Sequence, residues 1–450
     1  MKDGSINGIK PQGKALDTKS AAEPRDIKPF DPSSLAHHEN KFSRCRSLAG
    51  IKKISGYEIK DSTGKPTLKV VLESNNFTVT SFVPRGQSTG SLEAAELRDE
   101  DGGMKKAIEI IATKISPALV GKKPDQKQID DLLISLDGTK NKSVLGGNTT
   151  IGISMAVAML RAEENGLPLW KNIAEENKTS PKMPSLFMNI INGGVHANFR
   201  LPFQEYMIVI REKSAKQSFQ VGQEIFKNLG EIIKTRFGNV PFGDEGGYSP
   251  ICEKIEEPFS LLEEASGRQN VFFAIDSAAS EFFKNGSYNI LGKSYSPDEL
   301  LNLYKYLTSK FRLKSIEDPF EESSETYFKK IVGEIGKDTI IVGDDLTVTN
   351  PERISKLSKE HAANAVIIKP NQIGTVSEVF EAVRLAHKAG WKTIVSHRSG
   401  DTPDSFIADL AVGLGTYGIK AGSPNPPERK AKYERLIEIE KEMKIDQKIN

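Results

Sequence analysis

From residue 271 onward, short apolar runs alternate with amphipathic stretches, and each apolar run ends on a charged side chain. The runs are 271–275 before Asp276, 313–316 before Glu317, 339–343 before Asp344, 365–368 before Lys369, 393–396 before His397 and 418–419 before Lys420. By subtraction, successive end points lie 41, 27, 25, 28 and 23 residues apart. A βα unit takes roughly 30 residues, so each run reads as a buried parallel strand. The stretches between them show helical spacing at 297–309, 325–335, 351–359, 376–389 and 404–413. In a (β/α)₈ barrel the C-terminal strand ends converge on one mouth. Three carboxylates, two lysines and a histidine would then surround one small pocket.

The earlier part of the chain follows a different pattern. Residues 54–60, 67–73 and 77–84 read as three strands, joined by the turn Asp61-Ser62-Thr63-Gly64-Lys65-Pro66 and by Ser74-Asn75-Asn76. Helical runs follow at 105–119, 127–136, 149–165 and 169–176. Strands followed by helices indicate an α+β domain, with a boundary in the polar, proline-bearing stretch 177–184. Strand-like runs at 186–191 and 204–209 and a helix at 215–234 open the barrel irregularly. The organisation is therefore an extension at 1–48, an α+β capping domain at 49–182 and a barrel at 183–450. The extension is rich in Lys, Asp, Ser, Pro and Gly and reads as disordered, either inert or a regulatory, partner-binding tail.

Composition narrows the function classes. A net charge of +2 over 450 residues gives no sign imbalance, so neither nucleic acid nor an anionic membrane is favoured as partner. No apolar stretch approaches the roughly 20 residues that span a bilayer, and the N-terminus lacks the apolar core of a secretory signal. Two cysteines in unrelated contexts, Cys45 and Cys252, fit a reducing compartment and argue against a thiolate metal site. The expected location is cytoplasmic.

Asp276, Glu317 and Asp344 offer oxygen ligands without thiolates, which suits a hard divalent ion such as Mg²⁺. Taken one at a time, each is as readily a helix cap or an ion-pair partner. Lys369 follows four apolar residues, where desolvation and a neighbouring cation would lower its pKa toward that of a general base. It would otherwise pair with one of the barrel acids. Lys420 reads as a cation for an anionic substrate group or as a salt-bridged rim residue. His397, Arg398 and Ser399 form an anion clamp after a strand end. His196 lies in a glycine-rich turn after the first barrel strand, and Glu245 sits between glycines where it would serve as an acid opposite Lys369. A glycine-bounded loop, 86–90, would close over the mouth and lend the Ser88 hydroxyl. Such a set suits proton abstraction beside a carboxylate, because the enediolate formed needs cationic charge placed in advance.

The chain resembles the enolase family over about residues 50–445. The resemblance rests on long, ordered stretches: STGSLEAAELRD, MNIINGGVHAN, FQEYMI, GDEGG, SAASEFF, SIEDPF, VGDDLTVTNP, IKPNQIGT, SHRSGDTPDSFIADLAVG and ERKAKY. It implies an α/β fold: an enolase-type (β/α)₈ barrel of ββαα(βα)₆ order beneath an N-terminal α+β cap. It also implies reversible dehydration of 2-phosphoglycerate to phosphoenolpyruvate with two Mg²⁺ per site, the second arriving with substrate, in a cytoplasmic homodimer. By motif, Lys369 matches the base and Glu245 the general acid, with Glu205 and His196 beside them. Asp276, Glu317 and Asp344 match ligands of the tighter metal, and Ser88 a ligand of the second. His196, Gln204, Glu205, Lys369, Arg398, Ser399 and Lys420 match substrate-contacting positions, with His397 at the pocket. A Lys or His base working with Mg²⁺ is a known pattern of this superfamily.

Some positions depart from the family pattern. Thr63 and Lys65 stand in DSTGKPT where DSRGNPT is usual, Arg85 and Gln87 in PRGQSTG where PSGASTG is usual, and Pro370 follows the base. None removes a residue assigned to chemistry. Arg85 and Gln87 place changes in the lid loop, and Thr63 and Glu434 fall in segments the family uses near its dimer contact. Two other readings remain open on sequence grounds. One is a non-catalytic or moonlighting binding protein on the same scaffold. The other is a related acid-sugar dehydratase, although residues 205–210, EYMIVI, lack the lysine pair common in those relatives.

Overall fold

The computed structural model describes residues 49–87, 90–197 and 201–449. The extension 1–48 and the lid serine, Ser88, lie outside the described residues.

A three-stranded antiparallel sheet opens the fold: β1 (Lys53–Lys60), β2 (Pro66–Glu73) and β3 (Thr78–Phe82) in that order. A helical run over 105–119 follows, and its middle, Ile111–Ile115, widens into a π turn rather than staying α-helical. Helices α1 (Gln126–Asp137), α2 (Gly147–Asn165) and α3 (Leu169–Asn177) complete this part. Most of α2 is buried, and it packs on β2 and β3. Its Gly152 permits that approach: a Cβ there would lie 2.9 Å from Val70 and from Val83.

The second part is a closed barrel. Its strands are β4 (Ser185–Asn192), β5 (Glu205–Ile210), β6 (Phe272–Asp276), β7 (Leu313–Glu317), β8 (Ile340–Gly343), β9 (Ala365–Ile368), β10 (Lys392–Ser396) and β11 (Gly418–Lys420). Helices α4 (Ala215–Phe237) and α5 (Glu257–Ser266) follow β5. Then α6 (Pro297–Lys310), α7 (Glu325–Ile335), α8 (Pro351–Lys359), α9 (Val376–Lys388), α10 (Phe406–Gly413) and α11 (Pro427–Ile449) each follow one strand. The order is ββαα(βα)₆, as the resemblance implied. The irregular opening has a topological cause: β5 pairs antiparallel with both β4 and β6, whereas every other barrel pair is parallel.

Most strand positions are buried, as expected for strands covered by helices outside and by packed side chains inside. Phe187, Met207, Val209, Val342, Ile367 and Ile394 form an apolar cluster of their own, separate from the main core. Charged side chains occupy the strand ends instead. The cap turn after β1 reaches this end of the barrel: Ser62 N–H donates to the Asp401 carbonyl (2.8 Å), and Asp401 N–H donates to Ser62 Oγ (3.1 Å).

Candidate active site

Strand topology explains which residues meet. Asp276 and Glu317 end β6 and β7, paired in register, and Asp344 directly follows β8. Because β5 runs the other way, its first residue, Glu205, is the one that reaches the mouth, opposite Asp276. His196, Gln204, Glu205, Glu245, Asp276, Asp344, Lys369, His397, Arg398, Ser399 and Lys420 line one cavity. Ligand oxygens of Asp276, Glu317 and Asp344 lie within 4.8 Å of one another. The residues expected from sequence are thus gathered, apart from Ser88, which lies outside the described residues.

Lys420 is no rim residue. It is buried at the centre of the carboxylates, with Nζ 3.0 Å from Glu205 Oε2, 3.1 Å from Asp276 Oδ2 and 2.9 Å from Glu317 Oε1. Burial disfavours its charge, but Asp276, Glu205 and Glu317 outweigh that and raise its pKa well above the ordinary value. Lys369 takes the ion-paired alternative that the sequence left open. Its ammonium contacts the Asp344 carboxylate, and despite burial that partner raises its pKa rather than lowering it. The same contact and Lys420 keep Asp344 below the usual carboxylate range against its own burial.

Glu317, Glu205 and Asp345 are instead pushed toward protonation. Burial and the Asp276 charge push Glu317 well up, while burial and Glu245 do the same to Glu205. Asp345 rises to about 8 through burial and the Asp344 charge beside it. Carboxyls outnumber fixed cations here, and every ligand atom of the Asp276, Glu317 and Asp344 group is oxygen. That donor set and its buried surplus of negative charge fit a hard divalent cation.

On the other side of Lys420, a ligand atom each from His196, Glu205 and Glu245 fall within 4.8 Å of one another. Glu245 Oε2 accepts from Asn189 Nδ2 at 2.9 Å and lies 3.4 Å from His397 Nε2. Burial opposes its ionisation, yet His397, His196 and Arg429 hold it well below the usual range. Burial depresses His397 to about 4, so its ring is neutral near pH 7. Gln204 Oε1 is buried with no hydrogen-bond partner among the described residues, a polar atom left for a ligand.

Several supporting residues escaped the sequence reading. Glu93 holds Arg398 with two hydrogen bonds, 2.9 Å from Nη1 and 3.1 Å from Nη2. Asp318 accepts from the backbone N–H of Asp344 (2.9 Å) and of Asp345 (2.8 Å), fixing the turn that presents Asp344. Gln372 Nε2 donates to Asp344 Oδ1 at 2.9 Å. All three lie inside quoted motifs, which was the available signal.

The family model for the C-terminal TIM barrel domain of enolase matches residues 180–449, and that for the enolase N-terminal domain matches 51–173. The chain belongs to the enolase family. Among curated relatives, Enolase B of Dictyostelium discoideum is 45% identical over 422 residues, covering 87% of this chain and 95% of the relative. Enolase of Methanopyrus kandleri is 43% identical over 411 residues, covering 87% and 96%. Each match spans most of this chain and nearly all of the relative.

Proposed function

We propose that Lys369 and the Glu205–Glu245 pair carry the phosphopyruvate hydratase activity of this chain, a glycolytic lyase activity that converts 2-phosphoglycerate reversibly to phosphoenolpyruvate. Asp276, Glu317 and Asp344 would hold one Mg²⁺, and Ser88 would join a second that arrives with substrate. The bound ions supply cationic charge to offset the enediolate that forms when the carbon beside the carboxylate loses its proton. The observation that carries the reading is the convergence, at the barrel mouth, of a lysine, an oxygen-only carboxylate group and two neighbouring acids.

In this reading Lys369 is the base. Asp344 pairs with its ammonium; with that carboxylate engaged by a metal ion instead, burial and the nearby Arg398 and Lys420 would lower its pKa toward the range a base needs. Glu245 is the acid that protonates the departing C3 hydroxyl. Glu205, the member of the pair whose pKa is raised, stores the proton, and His196 bounds the pair. Arg398 and Ser399 clamp the phosphate, with Gln204, His397 and Lys420 completing the polar wall. The family resemblance supports a homodimer and a cytoplasmic location.

Purified full-length protein is expected to form phosphoenolpyruvate from 2-phosphoglycerate with Mg²⁺, to stop on addition of EDTA, and to recover with excess Mg²⁺. Absence of turnover with metal, from folded protein, would sink the reading.

A further inference from the structure

One fully buried side chain ties together the two loops that carry the acid and the anion clamp. Arg429, in the first turn of α11, is 0% exposed. Its Nη1, which carries two protons, lies 2.6 Å from His397 Nδ1, 2.6 Å from the Arg398 carbonyl and 3.1 Å from Asp401 Oδ2, so its protons are shared among three acceptors. Its Nη2 donates to the Ser399 carbonyl at 2.6 Å and to the Asp244 carbonyl at 3.4 Å. Gly422 makes room for this: it adopts φ +78°, and a Cβ there would lie 3.0 Å from both Arg429 Cδ and His397 Cε1.

A guanidinium keeps its charge and has only donors. The ring nitrogen it approaches must therefore offer a lone pair. A neutral imidazole carries one proton, so that proton sits on the other nitrogen. We propose that Arg429 is a positioning residue that locks His397 as its Nε2–H tautomer, so that the ring donates toward Glu245 and the cavity. Nε2 is buried, makes no hydrogen bond among the described residues, and lies 3.4 Å from Glu245 Oε2, the nearest carboxylate oxygen toward which this tautomer would point its proton. The depressed pKa of the ring, about 4, keeps it neutral and the tautomer meaningful.

The same site holds the competing arrangement. Asp401 Oδ2 lies 3.9 Å from His397 Nδ1 and 3.1 Å from Arg429 Nη1. With Arg429 gone, that carboxylate draws the ring proton to Nδ1. Nε2 then presents a lone pair to the Glu245 carboxylate, and a donor becomes a repulsive contact. The tautomer follows from geometry alone; its consequence for turnover rests on the enolase reaction proposed above.

The test is nitrogen NMR of the full-length Mg²⁺-bound protein labelled at its six histidines, with His397 assigned by comparison with His397→Gln. The wild type is expected to show an unprotonated Nδ1 and a protonated Nε2. Arg429→Met is expected to move the proton to Nδ1 and to lower kcat by about 10²–10⁴-fold, the scale seen when a catalytic histidine takes the wrong tautomer. Arg429→Lys retains a charged donor and is expected to keep the Nε2–H form and most of the turnover. A wild-type spectrum with the proton on Nδ1 overturns the proposal whether or not the variants fold. So does a folded Arg429→Met protein that keeps the wild-type tautomer while losing activity. A tautomer change without loss of turnover leaves the lock standing and overturns its link to the reaction.

Discussion

At the residue scale, the site is governed by how buried charges are partnered. His397 shows the energetic consequence. An unfolded histidine ionises near 6.5, whereas burial holds the folded ring near 4. Between those values the unfolded chain binds a proton that the folded chain excludes. Stability therefore falls as pH drops through this window and is complete again above it, a loss of about 3 kcal/mol from this one group. His397→Asn removes that contribution, so its deficit in thermal midpoint relative to wild type is expected to shrink steadily from neutral pH toward about pH 4.5. A pH-independent deficit would contradict a buried neutral ring. Asp276, Glu317, Asp344 and Lys369 were legible in sequence because each terminates an apolar run that must be a strand. Glu205 was not legible that way, since it begins a strand, and only the antiparallel direction of β5 takes it to the mouth. Arg429 was illegible as a site residue because its partners are fixed by chain segments 28 to 185 residues away.

At the element scale, the cap turn and the barrel loop after β10 act as one unit. Asp61 Oδ1 accepts from Thr63 N–H (2.8 Å) and Lys65 N–H (3.0 Å), closing the turn, while Oδ2 lies 3.2 Å from Arg85 Nε. Arg85 in turn exchanges backbone hydrogen bonds with Gly400 at 2.7 and 2.8 Å, and Gln87 N–H donates to Ser399 Oγ at 2.9 Å. Of the four departures in DSTGKPT and PRGQSTG, Thr63, Lys65 and Arg85 thus meet around one buried carboxylate. Arg85→Ala is expected to raise KM for 2-phosphoglycerate about 5–10-fold, the scale of one ordinary hydrogen bond of ~1–1.5 kcal/mol, with kcat little changed. Steady-state kinetics checks this, and an unchanged KM would show that the contact does not serve the clamp. Sequence alone placed loop 86–90 and the loop after β10 near the mouth and read 61–66 only as a strand-joining turn, because contacts between segments distant in sequence leave no periodic trace.

At the scale of the whole molecule, the barrel assembles more acid than it can neutralise. Gathering the carboxyls raised by burial and by one another, Glu205, Glu317 and Asp345 among them, is a cost of folding. If the folded site alone holds Mg²⁺, as proposed, the thermal midpoint is expected to rise with Mg²⁺ and fall back with EDTA. At a concentration of about 100 Kd the gain is ~2.7 kcal/mol, and a midpoint indifferent to Mg²⁺ would argue against the carboxylate group as its site. The alternation of strands and helices made the barrel readable from residue 271 on, because parallel strands covered on both sides need continuous apolar runs. The division of labour among charges depends on three-dimensional neighbours and so on the fold. The central claim is that Lys369 removes the C2 proton and Glu245 separately drives departure of the C3 hydroxyl. The most direct measurement follows deuterium entering C2 of 2-phosphoglycerate in heavy water, alongside phosphoenolpyruvate formation. Glu245→Gln is expected to exchange the C2 proton while forming little product, and Lys369→Ala to do neither. Exchange that survives in Lys369→Ala, or vanishes in folded Glu245→Gln, would contradict the assignment.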